Sequence, residues 1–297
     1  MRDATHARHG SGHGPLLLFL PAMGVPASFY APFCERLRGL GIEPEVIDLP
    51  GQGTSPLRAR HGDDYGYREV VELLVPDALQ QLAQRFPGRP CLLGGHSLGG
   101  QLAVLASGTL ADRVHGLVLV AAGSAHWRTW PAGRRARAAL AVHAISAMAR
   151  VLPWYPGQRL GFGGDQARRF MRDWSHNART GTYTLEGSDR SPEALRESLG
   201  DVTLPVLSLS VQGDPVAPPG ATDALCRLLP AARLRSVTVP GVTADAPWRR
   251  HFSWARRAGG VEPVLARWLA DALPDDPSGA LRSPSSRIQG DLRHVMA

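Results

Sequence analysis

No lysine occurs anywhere in the chain: all 33 residues counted as lysine plus arginine are arginine. That absence removes lysine-based phosphate loops, Schiff-base catalysis and serine–lysine dyads before any motif is sought. Cysteine is nearly as scarce. Cys34, Cys91 and Cys226 lie far apart in apolar segments, so they read as three reduced core thiols rather than a disulfide framework or a zinc cluster. No apolar run approaches the roughly 18 residues of a spanning helix. The run Leu16 to Leu20 is short and is followed by a Pro-Ala-Met-Gly turn in place of a cleavage site, so it reads as a buried strand and not a signal segment. A soluble, cytoplasmic protein with no membrane partner is the expectation. His6, His9 and His13 sit in a polar leader without a framework to fix ligand geometry, and no metal or cofactor is expected.

What is present suits one large domain, or one carrying an insertion: 297 residues, 43% of them hydrophobic. The formal charge of +7 is uneven, with twelve arginines against six acids between Ala125 and Gly200. Arg, Ala, Gly and Pro, all with G+C-rich codons, dominate the chain. The basic balance therefore reads as compositional, and no nucleic-acid partner is expected.

Short apolar runs alternate with amphipathic stretches, the pattern of a doubly wound, mostly parallel α/β sheet covered on both faces. Strands are expected at Leu16–Leu20, Pro44–Leu49, Cys91–Gly94, Val114–Val120, Pro205–Val211 and Leu234–Val239. Helices are expected at Ala27–Leu40, Tyr67–Phe86 with a kink or break at Pro76, Leu98–Leu110 and Val261–Leu273. The gap between the fourth and fifth strands is too long for a simple crossover. Residues 125–200 are read as an inserted helical cap, with 15–124 and 201–273 as the core, 1–14 as a flexible leader and 274–297 as a disordered tail.

The segment Gly95-His96-Ser97-Leu98-Gly99 carries the chemistry. Gly-x-Ser-x-Gly alone is weak, but here it follows an apolar strand and opens a helix, the setting of a nucleophile elbow. The turn strains the serine backbone and brings neighbouring chain close, so side chains at Gly95 and Gly99 are excluded. A serine hydroxyl needs a base and an orienting acid. In the order serine, acid, histidine, only His251 and His294 lie beyond the last strands, and His294 is in the tail, which leaves His251; His96 is not the base. Asp214, in Gly213-Asp214-Pro215 just past the fifth strand, is the acid, with Asp223 and Asp245 as competitors.

With these residues the chain resembles the α/β-hydrolase superfamily, in the group with an inserted helical cap. The likeness runs from about Pro15 to Leu273 and includes Asp48-Leu49-Pro50-Gly51-Gln52-Gly53-Thr54-Ser55, similar to the family's Asp-x-Pro-Gly-x-Gly-x-Ser turn. It also includes His251-Phe252-Ser253-Trp254, similar to the histidine segment of several bacterial members of unassigned activity. Two departures stand out. Pro21-Ala22-Met23-Gly24 replaces the usual His-Gly, and no strands are read before Leu16, so the sheet is expected to have about six. By position, the resemblance implies an oxyanion hole from the backbone NH groups of Met23 and Leu98, neither of which depends on a side chain.

The expected activity is hydrolysis of a carboxylic ester or thioester of a small acyl substrate through an acyl-Ser97 intermediate. An acyltransferase, lyase or cyclase would use the same residues with water excluded, and a binding protein would follow if Pro21 closed the hole. Trp127, Trp130, Trp154, Tyr155 and Trp174 are candidates for an acyl pocket, with packing of the cap onto the core as the competing role. The arginine surplus suits a carboxylate-bearing or phosphorylated substrate, or a solvated basic face.

Overall fold

Successive side chains of the strand Leu16–Leu20 point to opposite faces: Leu16, Leu18 and Leu20 enter one apolar cluster, Leu17 and Phe19 the other. A strand apolar on both sides must be covered on both sides, and this dictates the layers. The computed structural model describes residues 14–242, 246–258 and 260–273. Its strands are β1 (Leu16–Leu20), β2 (Glu43–Val46), β3 (Cys91–His96), β4 (Leu117–Val120), β5 (Trp154–Pro156), β6 (Asp165–Ala167), β7 (Pro205–Val211) and β8 (Arg233–Val239). Six of them form one sheet in the order β2-β1-β3-β4-β7-β8, with every pairing parallel. This is a doubly wound, parallel α/β sheet of six strands, as expected.

The helices, in chain order, are α1 (Ala31–Arg38), α2 (Val75–Arg85), α3 (Leu98–Leu110), α4 (Ala132–Val151), the single turn α5 (Gly157–Leu160), α6 (Arg168–Thr180), α7 (Pro192–Gly200), α8 (Pro219–Cys226), α9 (Arg250–Arg256) and α10 (Val261–Ala272). Helices α2 and α3 bury Leu79, Leu82, Leu102 and Leu105 against the Leu18 face. Helices α1, α9 and α10 bury Phe33, Leu37, Trp254, Leu265 and Trp268 against the Phe19 face. After β2 the chain crosses back to lay β3 on the other side of β1. The carboxyl ends of β1 and β3 therefore flank the point where strand order reverses, the crevice in which open α/β sheets bind ligands.

Several elements differ from the expected ones, each for a local reason. The strand expected at Pro44–Leu49 ends at Val46, because Asp48 turns away to accept from the Ala27 and Thr54 amides at 2.7 and 2.8 Å. The helix expected from Ala27 is a 3-10 turn over Ala27–Tyr30 until Pro32, whose missing N–H suits a helix start, opens α1. At Pro76 the helix changes type. Residues Glu69–Leu74 are a π-helix and α2 continues from Val75, the wider turn accommodating the proline ring. The third strand runs on to His96, and the fourth begins only at Leu117.

The segment between β4 and β7 is not wholly helical: besides α4, α6 and α7 it holds the antiparallel ribbon β5–β6, too short at three residues a strand to show a periodicity. It is tied to the preceding chain by polar contacts, one of them buried. Asp173 on α6 accepts from the Tyr67 amide at 2.9 Å, and Arg169 meets Asp64 and Glu69. Arg60 pairs with Asp165 of β6. Leader residues 1–13, the tail, Asp245 and His294 lie outside the described residues.

Candidate active site

Strand β3 delivers its last residue, His96, to the sheet edge, and the chain reverses at Ser97 with φ 54° and ψ −117° before α3 begins. A non-glycine residue with positive φ is strained, and here the surroundings hold it. The Ser97 amide donates to Val120 O at 3.0 Å, and the Ser97 carbonyl accepts from the Gly100 and Gln101 amides. A Cβ on Gly95 would sit 2.2 Å from the Gly99 carbonyl carbon, and one on Gly99 would sit 2.1 Å from Leu20 O. The glycines thus let α3 press onto β3 and β1. Ala121, at the end of neighbouring β4, is the other described non-glycine residue with positive φ, a second strained point that no sequence pattern announced.

Ser97 Oγ caps nothing and takes no hydrogen-bond partner among the described residues, so the hydroxyl is available to a substrate. The amides of Met23 and Leu98 are likewise absent from the loop and cap hydrogen bonds of the described chain. Leu98 opens α3, where the first amides have no intrahelical acceptor and the helix dipole is positive.

His251 is not in a loop as expected; it lies on α9, directly after a 3-10 turn at Pro247–Arg249. The placement is firm because Trp254, fully buried, packs on Phe19, Tyr30 and Phe33 and donates its Nε1–H to His251 O at 3.0 Å. His251 Nδ1 lies 2.6 Å from Asp214 Oδ2, with both side chains 1% exposed. Asp214 Oδ1 accepts from the Val216 and Ala217 amides at 2.7 and 3.3 Å, which fixes the carboxylate in the turn after β7. With Nδ1–H donating to Asp214, the imidazole keeps its lone pair on Nε2. Its ring lies against that of His96, centroids 4.6 Å apart and planes tilted by 42°, which places His251 beside the elbow; no hydrogen bond joins it to Ser97 among the described residues. Of the competing acids, Asp223 is exposed on α8.

His96 itself is fully buried, and burial together with neighbouring His251 holds its pKa well below the ordinary histidine value, so the ring is neutral. Its Nδ1 lies 2.8 Å from the Tyr30 hydroxyl. Tyr30 carried no functional signal in the sequence, where its helical spacing with Phe33, Leu37 and Leu40 suggested only an apolar helix face.

The five candidate pocket aromatics are spread through the insertion. Tyr155 and Trp174 are buried in the core cluster, Trp174 edge-on to Phe162, while Trp127, Trp130 and Trp154 are half-buried, with the Arg128 guanidinium over Trp127. No ring contact among the described residues joins them to His251. A cavity of about 540 Å³ lies at Ala27, Ser28 and Val46–Asp48 against Gly53–Pro56, with none of Ser97, Asp214 or His251 in its wall.

A strand–elbow–helix with a buried His–Asp pair beside it is the arrangement of a serine hydrolase. The serine aminopeptidase S33 hydrolase family matches residues 14–243, most of the chain. The chain belongs to that family. This places the hydrolase in the α/β-hydrolase superfamily, as the resemblance implied. It is similar to a pimeloyl-[acyl-carrier protein] methyl ester esterase of Xylella fastidiosa, 25% identical over 256 residues covering 81% of this chain and 92% of the relative. The enzyme of that name from Nitrosomonas europaea is 27% identical over 75% of this chain and 87% of its own. Among solved structures, the fold is similar to a Saccharomyces cerevisiae monoglyceride lipase (TM-score 0.61, 15% identity, 89% of both chains). It is also similar to a Paleococcus ferrophilus monoacylglycerol lipase (TM-score 0.55, 16% identity, 87% and 96% covered).

Proposed function

We propose that this hydrolase cleaves a carboxylic ester or thioester of a small acyl substrate through an acyl-Ser97 intermediate. The enzyme is a serine ester hydrolase, and the observation that carries the residue assignment is the buried His251–Asp214 contact at 2.6 Å beside the strained Ser97 turn. His251 Nε2 takes the Ser97 proton as Oγ attacks the acyl carbon, then returns it to the leaving group. Asp214 holds the imidazole in the tautomer required and stabilises the imidazolium. The Met23 and Leu98 amides receive the negative charge of the tetrahedral intermediate, and water activated by His251 releases the acid.

Residues 125–200 act in this reading as the cap that shapes the acyl pocket, Trp127, Trp130 and Trp154 being the half-exposed candidates for its wall and Tyr155 and Trp174 its support. The relatives named as esterases act on a carrier-linked pimeloyl methyl ester. A negatively charged acyl carrier suits this chain too: α4 has no acidic residue and exposes Arg134, Arg135, Arg137 and Arg150. A cytoplasmic setting fits the three buried, unpaired cysteines. No helix of the described residues is long and apolar enough to cross a membrane.

The test is hydrolysis of a panel of p-nitrophenyl esters and acyl thioesters by the wild type and Ser97→Ala, with fluorophosphonate labelling of Ser97. Turnover is expected to fall by about four to six orders of magnitude in the variant. Unchanged hydrolysis in Ser97→Ala sinks the assignment.

A further inference from the structure

We propose that the Tyr30 hydroxyl is a positioning group that ties the Ala22–Met23 loop, source of one oxyanion donor, to the His96–Leu98 elbow, source of the nucleophile and the other donor. The proposal rests on the reading of Met23 and Leu98 as those donors.

Tyr30 is fully buried between the two segments. Its oxygen accepts the Ala22 N–H at 2.9 Å and lies 2.8 Å from His96 Nδ1. Because a backbone amide can only donate, the tyrosine oxygen accepts there, and the same hydroxyl bonds Nδ1 in either imidazole tautomer. Burial pushes the Tyr30 pKa up and the His96 pKa down, so a neutral phenol faces a neutral imidazole.

The bridge matters because of what adjoins each end. The Ala22 peptide leads into Met23, and Val25 N–H donates to Ala22 O at 3.1 Å, so Ala22 is held at both its amide and its carbonyl. On the far side the loop is backed by the insertion: a Cβ on Gly24 would lie 2.6 Å from the Gly163 carbonyl carbon, and one on Gly163 would lie 2.6 Å from Met23 Cε. His96 immediately precedes Ser97, and its ring carries His251 on the other side. The loop begins with Pro21, which has no N–H to donate. The phenol therefore supplies, from α1's leading turn, an anchor that spans Ala22 to His96 and fixes the separation of the two donors. Oxyanion donors act only when held at the place where charge develops, and misplacement by about 1 Å costs on the order of 100-fold.

Tyr30→Phe, which keeps the ring and removes the bridge, is compared with the wild type for kcat and KM on a p-nitrophenyl ester, for affinity to a trifluoromethyl ketone of the same acyl chain, and for fluorophosphonate labelling rate, alongside thermal melting. We expect kcat and ketone affinity to fall together by roughly 10- to 100-fold with KM within about two-fold. His96→Leu removes the same bridge together with the ring against His251, so it should lower kcat at least as much, the double variant being no worse than His96→Leu alone. His96→Asn, which retains an acceptor near the Nδ1 position, should lose less than His96→Leu. Unaltered kcat and ketone affinity in folded Tyr30→Phe overturn the proposal, as does additivity of the two substitutions. Equal labelling of Ser97 in wild type and Tyr30→Phe overturns it while leaving the nucleophile assignment standing; failure to label the wild type overturns both.

Discussion

His251 Nδ1 and Asp214 Oδ2 lie 2.6 Å apart although 37 residues separate them in the chain, because α9 begins at the edge of the sheet where β7 ends. The second oxygen of Asp214 is held by two backbone amides, so the carboxylate is fixed before the histidine meets it. Asp214→Asn should leave the fold intact and lower kcat by about 10⁴, since an amide NH₂ facing Nδ1 favours the wrong tautomer. Steady-state kinetics with a melting control checks this; a loss under ten-fold would return Asp245 to consideration.

Close backbone approach at the elbow makes a second expectation. Gly95→Ala would place its Cβ 2.2 Å from the Gly99 carbonyl carbon, where neither strand nor helix can yield cheaply. A loss of at least about 3 kcal/mol, or no soluble folded protein, is expected from denaturant titration. Gly133→Ala is the contrast. Its Cβ would meet nothing within 4 Å, and in α4 the substitution should gain roughly 0.5–1 kcal/mol.

Arg36 ties the histidine-bearing helix to the core. Its Nε donates to Glu262 Oε1 at 2.6 Å and its Nη2 to Trp254 O and Ala255 O at 3.0 and 3.1 Å, joining α1, α9 and α10. Arg36→Met keeps the apolar stem but leaves Glu262, with a side chain 7% exposed, without its partner. A destabilisation of about 3 kcal/mol is expected, with faster amide exchange in 250–256; exchange unchanged in that helix would show that Trp254 alone holds it.

Asp173, 1% exposed, has its carboxyl pushed up to about 7 by burial, against the pull of the Tyr67 and Glu186 amides and the Thr184 hydroxyl. A carboxyl whose pKa is higher folded than unfolded binds more protons in the native state. Its contribution therefore weakens stability as pH rises through about 4 to 7, by on the order of 4 kcal/mol across the window. Asp173→Asn does not titrate. Unfolding midpoints in urea at pH 5 and pH 8 should lie closer together in the variant than in the wild type, and an identical spacing would contradict the assignment.

Much of this was legible in the chain because it is local. The alternation in Leu16–Leu20, the apolar run ending in Gly95, and the serine between glycines are patterns a few residues long, set by strand pleat and turn sterics, and the structure repeats them nearly residue for residue. Other features had no local mark. The ribbon of Trp154–Pro156 with Asp165–Ala167 is too short to be periodic, and the helical setting of His251 depends on Trp254 sinking between Phe19 and Phe33.

By itself, then, the sequence determined the layered α/β class, the elbow at Ser97 and a short choice of acids and histidines. Which carboxylate meets His251, and that Tyr30 reaches His96 across 66 residues, was decided only when helices from distant parts of the chain packed on one sheet. Propensity and turn chemistry act over a few residues, whereas these contacts exist only where burial forces separate segments together.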